Sequence, residues 1–218
     1  MLNGYFHACM GHFWPNGEVM RLLVKPITLI VVCLAVQIGC ETEKKPLDPE
    51  QLQRRQGIFY EVNSTEPYSG MVVSWYANGQ KRMESVFVDG KREGLVTEWY
   101  ENGQKKLEGK IVDGKADGLV TEWYENGQKW SEQNFVDGEL NGLWTVWYVH
   151  GQKKRERHFV NGELEGRLTE WYESGQKKDE RNFVNGKIDG RATIWYENGQ
   201  IISESYYIDG ELVQSKLF

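Results

Sequence analysis

The sequence predicts an all-β fold: an elongated, single-layer antiparallel sheet of stacked 24-residue β-hairpins. Trp-Tyr pairs recur six times at a constant spacing of 24 residues, without insertion or deletion, and such a fixed period indicates a repeat array. Residues 94–105, GLVTEWYENGQK, return unchanged at 118–129. Each repeat alternates glycine-containing turns with short segments of β-branched and aromatic residues, which are typical of strands.

One repeat contains the elements of one β-hairpin. Residues 95–101 are predicted as a strand, and Asn102-Gly103 as a two-residue type I′ turn, because both residues tolerate a positive φ. The return strand is predicted over 105–112, followed by a longer polar turn over 113–118. A single hairpin is unstable in water, so the repeats must stack edge to edge in order to fold.

The predicted register places Thr97 opposite Glu108 and Tyr100 opposite Lys105. Since successive strand residues point to opposite faces, Trp99 and Tyr100 are expected on opposite faces, where aromatic rings can stack along the sheet. These rings either only stabilise the sheet or also form a platform for a sugar, a peptide or a partner strand. The candidate binding face comprises Trp75, Tyr76, Trp99, Tyr100, Trp123, Tyr124, Trp147, Tyr148, Trp171, Tyr172, Trp195 and Tyr196.

The two ends of the array differ from its middle. The six hairpins occupy residues 71–210, and residues 57–70 resemble a degenerate half-repeat in which Pro67 cannot donate to a strand ladder. Residues 211–218 are predicted as a last strand without a partner. Atypical terminal units of this kind cap the open edges of a repeat array, so both segments are predicted to be caps.

The first forty residues have a different composition. Arg21 and Lys25 precede an apolar stretch, 26–40, which as a helix would span roughly 22 Å against a hydrocarbon core of about 30 Å. This length favours a signal peptide, predicted over 20–39. Residues 1–19 fit no element and are interpreted as an over-extended gene start.

Residues 37–40, QIGC, resemble the lipobox of bacterial lipoproteins, with Gln37 departing from the usual leucine. The resemblance implies cleavage before Cys40, a lipid on that cysteine, and a location on the periplasmic or extracellular side of the membrane. Glu41 is not the aspartate that retains lipoproteins at the inner membrane, so the outer membrane is implied if the source is diderm. Residues 40–56 are then predicted as a polar tether.

Charge and side-chain chemistry argue against an enzyme. Without Glu18, Arg21 and Lys25, the whole-chain charge of −6 becomes −7 for residues 41–218, which disfavours nucleic acid as a partner. His150 and His158 have no evident partner in the sequence and are interpreted as surface residues, not general bases. One repeated glutamate per hairpin does not make an oxygen cage for a cation. We therefore predict no catalytic residue, no metal and no cofactor.

The repeat consensus resembles a known family. The stretch GLVTEWYENGQK, followed by a Phe-Val-Asp-Gly turn as at 135–138 and a glycine four residues later, is similar to the bacterial variant of the MORN repeat, the type grouped as YwqK-family antitoxin components. The opening EPYSG at 66–70 is similar to that family's start, so the resemblance covers 57–218. It implies an elongated hairpin sheet for protein or membrane-associated interactions, with no catalytic residues.

Three functional hypotheses follow. The first is a lipid-anchored interaction or scaffold protein of the bacterial cell envelope that binds a protein partner along its sheet. The second, which the family resemblance implies, is an antitoxin or immunity-type protein that neutralises a toxin by direct binding. The third is a cell-wall glycan binder that uses the aromatic face.

Overall fold

The computed structural model describes residues 45–218. The predicted over-extended start, the signal peptide and Cys40 therefore lie outside the described residues. Within 45–218 the all-β prediction is confirmed. The strands are β1 Leu52–Arg55, β2 Ile58–Glu61, β3 Gly70–Trp75, β4 Lys81–Val88, β5 Lys91–Trp99, β6 Lys105–Val112, β7 Lys115–Ala116, β8 Gly118–Trp123, β9 Lys129–Val136, β10 Glu139–Leu140, β11 Gly142–Trp147, β12 Lys153–Val160, β13 Glu163–Leu164, β14 Gly166–Trp171, β15 Lys177–Val184, β16 Lys187–Ile188, β17 Gly190–Trp195, β18 Ile201–Ile208 and β19 Glu211–Leu217.

Strands β3 to β19 form one antiparallel sheet in chain order. Each hairpin pairs internally, and its return strand pairs with the next repeat, as β6 does with β8 and β9 with β11. The short strands β7, β10, β13 and β16 pair with the strand that precedes them. Strand β3 begins the sheet and β19 ends it, and these two strands do not pair with each other. The sheet is therefore an open, single layer of hairpin repeats.

The register agrees with the sequence prediction over most of each hairpin. Thr97 lies opposite Glu108, as predicted. Near the turn the register shifts between Glu98 and Trp99, so Trp99 and not Tyr100 lies opposite Lys105. The same shift recurs in the other repeats. The prediction for Tyr100 was wrong because the extra residue of this β-bulge had not been taken into account.

The glycine turn at Asn102-Gly103 is not the predicted type I′ turn. Only Gly103 has a positive φ, of 84°. The Gly103 N–H donates to the Tyr100 carbonyl at 2.9 Å, and the Tyr100 N–H donates to the Gln104 carbonyl at 2.8 Å. This is a type I-like turn followed by a glycine in the left-handed region, a common longer hairpin loop. The bulge at Trp99 is the consequence of this longer loop.

The tight turn lies instead at the other end of the hairpin. Asp113 and Gly114 have φ values of 49° and 78°, and Val112 pairs directly with Lys115 across them. Two positive φ values in a two-residue loop are the requirement of a type I′ turn. The predicted longer polar turn over 113–118 is therefore wrong, because its residues continue the strand pairing.

The N-terminal segment is structured from Leu47 onward, which contradicts the predicted tether over 40–56 for that part. The Leu47 N–H donates to the Met71 carbonyl at 3.0 Å, and the Val73 N–H donates to the Leu47 carbonyl at 2.9 Å. Leu47 thereby occupies part of the free edge of β3. One turn of 3-10 helix, Pro49–Gln51, follows and is capped by the Asp48 side chain. This segment protects the first edge of the sheet.

Apart from Gly70, which begins β3, the predicted half-repeat over 57–70 does not join the main sheet. Its strand β2 pairs with β1 in a separate two-stranded hairpin, and its aromatic side chains pack across one face of the first repeat. We call residues 47–68 the cap. Tyr68, Val72 and Phe87 are buried at its centre, with Leu47, Leu52, Phe59 and Met83 packed around them. A sequence rich in polar residues forms this cap because a few apolar side chains reach the sheet. At the other end, β19 forms within the strand predicted at 211–218.

Candidate functional site

The two faces of the sheet carry different kinds of side chain. Thr97 and Glu108 lie opposite each other and share one face with Trp99 and Lys105. We call the face formed by these four positions of every repeat the Trp–Lys face. Threonine, tryptophan and glutamate return at these positions in nearly every repeat, and lysine in all but the last. This face therefore repeats almost without change along the array.

The opposite face changes from repeat to repeat. In the second repeat it is formed by Val96, which lies opposite Gly109, and by Glu98, which lies opposite Leu107. We call the face formed by these four positions the variable face. Residues at the position of Val96 are Val72, Val96, Val120, Trp144, Leu168 and Ala192; at the position of Gly109 they are Ser85, Gly109, Gln133, Arg157, Arg181 and Ser205.

The lysines of the Trp–Lys face link successive repeats. Lys105 forms an ion pair with Glu108, and its ammonium group lies 5.9 Å from the ring centre of Trp123 in the next repeat. Equivalent contacts join Lys81 to Trp99, Lys129 to Trp147, Lys153 to Trp171 and Lys177 to Trp195. Exposed ion pairs are worth little singly, but lysine over tryptophan adds an attraction that repeats along the sheet. The repeated glutamates of the first five repeats are thus held by lysines of this face, and Glu204 of the last repeat pairs with Arg191.

The tyrosines of the repeated pairs also bind the next repeat. The Tyr100 hydroxyl donates to the Trp123 carbonyl at 2.7 Å. Equivalent bonds of 2.8 Å join Tyr76 to Trp99, Tyr124 to Trp147, Tyr148 to Trp171 and Tyr172 to Trp195. Trp75 is 55% exposed and Tyr196 is 52% exposed, because each lies at the end of the array where a neighbouring pair is missing. The candidate aromatic residues therefore lie in rows along the sheet and make contacts within it.

These tyrosines give a testable dependence of stability on pH. Burial raises the pKa of Tyr100, Tyr124 and Tyr148 above the usual 10.0. The unfolded chain ionises first, so the stabilisation is complete below pH 10.0 and is lost as the pH rises through the higher pKa of the folded state. We expect the free energy of unfolding, measured in urea, to fall above this pH.

Tyr124→Phe should reduce that fall, because the variant has one fewer buried phenol. Tyr196→Phe is the control, since Tyr196 is exposed and donates to no following repeat within residues 45–218. Equal alkaline destabilisation in the wild type and in Tyr124→Phe would contradict the assignment.

A third row of contacts joins the glycine turns and explains His150. The side-chain amide of Asn78 donates to the Glu101 carbonyl of the next repeat at 2.8 Å. In the fourth repeat His150 takes the asparagine position, and its Nε2 lies 3.1 Å from the Glu173 carbonyl. The His150 ring also stacks on Tyr148, with ring centres 5.7 Å apart. His150 therefore has a structural contact with the following repeat.

Beyond the first repeat the cap does not cover the variable face, although neighbouring side chains bury Val96 and Ser131 there. Next to the cap lies a groove of about 310 Å³, lined by apolar side chains that include Val96, Leu107 and Val120. Two carboxylates, Glu98 and Glu122, border it. Burial raises the pKa of Glu122, nearby Lys106 lowers it, and Glu98 raises it. The groove is therefore apolar at its base and acidic at one side.

An arginine cluster on the variable face was not identified from the sequence. Arg155 forms an ion pair with Glu170 at 2.5 Å, and Arg181 forms one with Asp179. Arg157 lies over Trp144, with 4.9 Å between its guanidinium carbon and the ring centre. The sequence contains a signal for this cluster. Four repeats have glycine, serine or glutamine at this position, whereas the fourth and fifth repeats have Arg157 and Arg181.

A comparison with protein-family models identifies the repeat. Four segments match the MORN repeat variant, at residues 92–112, 116–137, 164–185 and 188–209. In these four segments the chain is similar to MORN repeat variants. The matched segments correspond to the hairpins β5–β6, β8–β9, β14–β15 and β17–β18. No curated protein was found to match the chain at a significant level.

The hairpin that no MORN match covers in the middle of the array is β11–β12. It keeps the repeated tryptophan, tyrosine, lysine and glutamate. It differs from the matched hairpins chiefly on the variable face, where it carries Trp144, Arg155 and Arg157. The interior hairpin without a match is thus the one that holds Arg155 and Arg157 of the arginine cluster.

Within residues 45–218, no group of three or more His, Cys, Asp or Glu side chains is placed to hold a metal ion. Over the same range, no helix has the length and apolar character needed to cross a membrane. The similarity to MORN repeats favours a repeat-based binding or scaffold role.

Proposed function

We propose that this MORN-repeat chain is a non-catalytic binding or scaffold protein of the bacterial cell envelope. It holds a protein partner along the variable face and is tethered to the membrane by a lipid on Cys40. The observation that carries the proposal is the difference between the two faces. One face repeats and bonds to itself, whereas the other varies and is covered by the cap only at the first repeat.

The Trp–Lys face is a poor choice for a specific partner. Its lysines are paired with glutamates and lie over tryptophans of the next repeat. A partner that competed for these groups would have to break contacts between repeats. The face is also nearly identical in every repeat, so it offers no unique position at which a partner could fix its register.

The cap shows how the variable face accommodates a segment of chain. Phe59 packs against Phe87 with ring centres 5.2 Å apart, and Tyr68 packs beside them. The Phe59 N–H donates to the Gly90 carbonyl at 2.9 Å. The groove lined by Val96 and Val120 continues the same face where the cap ends. A partner segment with apolar side chains would occupy this groove as the cap occupies the first repeat.

The sequence supports the membrane location. The apolar stretch with its two preceding cations is the pattern of a secreted chain, and the QIGC motif at its end resembles a lipobox, whose cysteine would carry the lipid. A lipid at Cys40 would leave the array near the membrane surface. The net charge of −7 on residues 41–218 disfavours direct binding to anionic lipid, so the array itself remains available for a protein.

Two adjacent lysines provide a matched test of the binding face. Lys105 lies on the Trp–Lys face and Lys106 pairs with Glu98 on the variable face. Both side chains are about half exposed. A photo-crosslinking amino acid at each position, activated in intact cells, should yield a discrete protein adduct from position 106 and not from position 105. The partner identified by mass spectrometry should then form the same adduct with the purified chain.

Equal adducts from both positions, or none from either, would contradict binding on the variable face. The identity of the partner separates the hypotheses. A toxin whose neighbouring gene becomes lethal when this chain is deleted would favour the immunity-type alternative. Retention of the purified chain on peptidoglycan or glucan columns, with no protein adduct, would favour the glycan alternative.

Removal of Cys40 tests the anchor. The wild-type chain is expected in the membrane fraction, and Cys40→Ser is expected in the soluble fraction, because the thiol that carries the lipid is absent. Fractionation followed by immunoblotting measures the difference. The lipid-anchor proposal fails if the wild-type chain is recovered in the soluble fraction together with the variant.

A further inference from the structure

The fourth repeat places an unusual pair of side chains on the variable face. Trp144 lies opposite Arg157 in the β11–β12 hairpin. The preceding repeat carries Val120 opposite Gln133 at the same positions. The change replaces a small apolar pair by an indole ring and a guanidinium group.

Trp144 is held in place by groups of the preceding strand. Its indole N–H donates to the Ser131 hydroxyl at 3.0 Å, and Ser131 is only 1% exposed. The side-chain amide of Gln133 donates to the same hydroxyl at 3.1 Å. On its other side the Trp144 ring packs against Phe159, with ring centres 5.9 Å apart. The ring is therefore oriented before any ligand binds.

Arg157 lies over this fixed ring without a partner of its own. Its guanidinium carbon is 4.9 Å from the Trp144 ring centre. Within residues 45–218 its side chain forms neither a hydrogen bond nor an ion pair, and its Nε is buried without an acceptor. Stacking on an aromatic ring uses the face of a guanidinium and leaves the N–H groups at its edge free to donate.

The neighbouring carboxylates are already bound. Glu170 pairs with Arg155, and Asp179 pairs with Arg181. Burial lowers the pKa of Arg157, Arg155 lowers it further, and Glu170 acts in the opposite direction. The cluster therefore carries an excess of positive charge centred on Arg157, within an array whose overall charge is negative.

We propose that Arg157, backed by Trp144 and flanked by Arg155, binds a glutamate or aspartate side chain from an acidic segment of the protein partner. The planar fork of a guanidinium matches a carboxylate with two parallel N–H···O bonds. The apolar base of the groove lies on the same face in the two preceding repeats, where apolar side chains of the same segment would pack, and its acidic residue would lie at Arg157, away from Glu98 and Glu122. This inference rests on the proposed binding function, and it assigns Arg157 as the residue that makes a polar contact with the partner.

A peptide titration tests the assignment on the full-length chain. Hexaglutamate is the probe, and hexalysine is the control peptide at matched ionic strength. Nitrogen-15 NMR follows the Arg157 Nε–H and Trp144 Nε1–H signals. We expect both signals to shift saturably with hexaglutamate, and Arg157→Gln to weaken binding about tenfold, the loss typical of a hydrogen bond to a charged group.

Arg167→Gln is the matched control, because Arg167 is 70% exposed on the opposite face and the substitution removes the same charge. Arg157→Gln should remain folded, since glutamine occupies this position in the third repeat, and near-ultraviolet circular dichroism checks this. Arg157→Lys should weaken binding as well, because it keeps the charge and loses the fork.

Three results would overturn the assignment: equal weakening by Arg157→Gln and Arg167→Gln, shifts with hexalysine, or tighter binding of inorganic phosphate than of hexaglutamate at the same ionic strength. If hexaglutamate fails while the adduct at position 106 persists, only the carboxylate assignment is wrong. If that adduct is also absent, the proposed function itself fails.

Discussion

Phe87→Ala is expected to lower the free energy of unfolding by about 3–5 kcal/mol, the range for removing a buried aromatic ring. Phe87 is only 2% exposed. Its ring contacts Phe59 at 5.2 Å and Tyr68 at 6.2 Å between ring centres, so it joins the cap to the sheet. Its loss opens a cavity at that junction. Urea unfolding followed by tryptophan fluorescence measures the change.

Phe183→Ala is the control for this prediction. Phe183 occupies the same position in the fifth repeat, where it is partly exposed and the cap does not cover it. Its truncation removes the same atoms but less buried area, so a smaller loss of stability is expected. Equal losses in the two variants would show that the cap adds nothing to the burial of Phe87. Release of the cap alone would appear as faster proteolysis at residues 47–68.

Gly90→Ala is expected to destabilise the protein by about 1–3 kcal/mol more than Gly114→Ala, the usual cost of overpacking. Gly90 has φ +75°, and a β-carbon there would lie 2.7 Å from the Phe59 carbonyl oxygen. Gly114 has φ +78° in the same turn of the next repeat, and nothing lies within 4 Å of its β-carbon position. The two glycines share a backbone conformation, so the difference isolates the contact with the cap.

Thermal unfolding of both variants under one set of conditions gives this difference. The left-handed backbone alone costs each alanine about 1–2 kcal/mol, and Gly114→Ala should show only this part. If the two alanine variants unfold at the same temperature, the cap does not pack against this turn in solution. Gly90→Ala is also expected to expose the Phe59 amide to hydrogen exchange, because its acceptor is the Gly90 carbonyl.

The hairpin repeat was predictable because it depends on local spacing. A constant period of 24 residues gives the position of each strand and each glycine turn. The alternation of side chains along a strand then gives the residues that share a face. The pairing of Thr97 with Glu108 follows from the distance of each residue to the turn. The turn types were not predictable in the same way. Asn-Gly and Asp-Gly both favour tight turns, but only Asp113-Gly114 has the two positive φ values of type I′, since Asn102 does not adopt one.

The capping role of residues 57–70 was predicted, but the contribution of residues 47–56 to the cap was not, because its stability comes from contacts between distant parts of the chain. Leu47 lies in a polar segment, and only its hydrogen bonds to Met71 and Val73 reveal a structured edge. The candidate site also depends on contacts between separate parts of the chain. The repeated tryptophans and tyrosines are prominent in the sequence, yet in the structure they bond to neighbouring repeats.

The sequence by itself determined the repeat, the single-layer hairpin sheet and the residues that share a face. These properties depend on spacing and local turn chemistry, which the chain carries in its order. Only the tertiary structure decided which polar groups are already used. Trp144 and Arg157 can be placed opposite each other from the register, but the Ser131 bond that orients Trp144 and the missing partner of Arg157 arise from the stacking of repeats. A side chain is available for binding when its neighbours leave its hydrogen-bonding groups unpaired, and the packing of the repeats determines which neighbours it has.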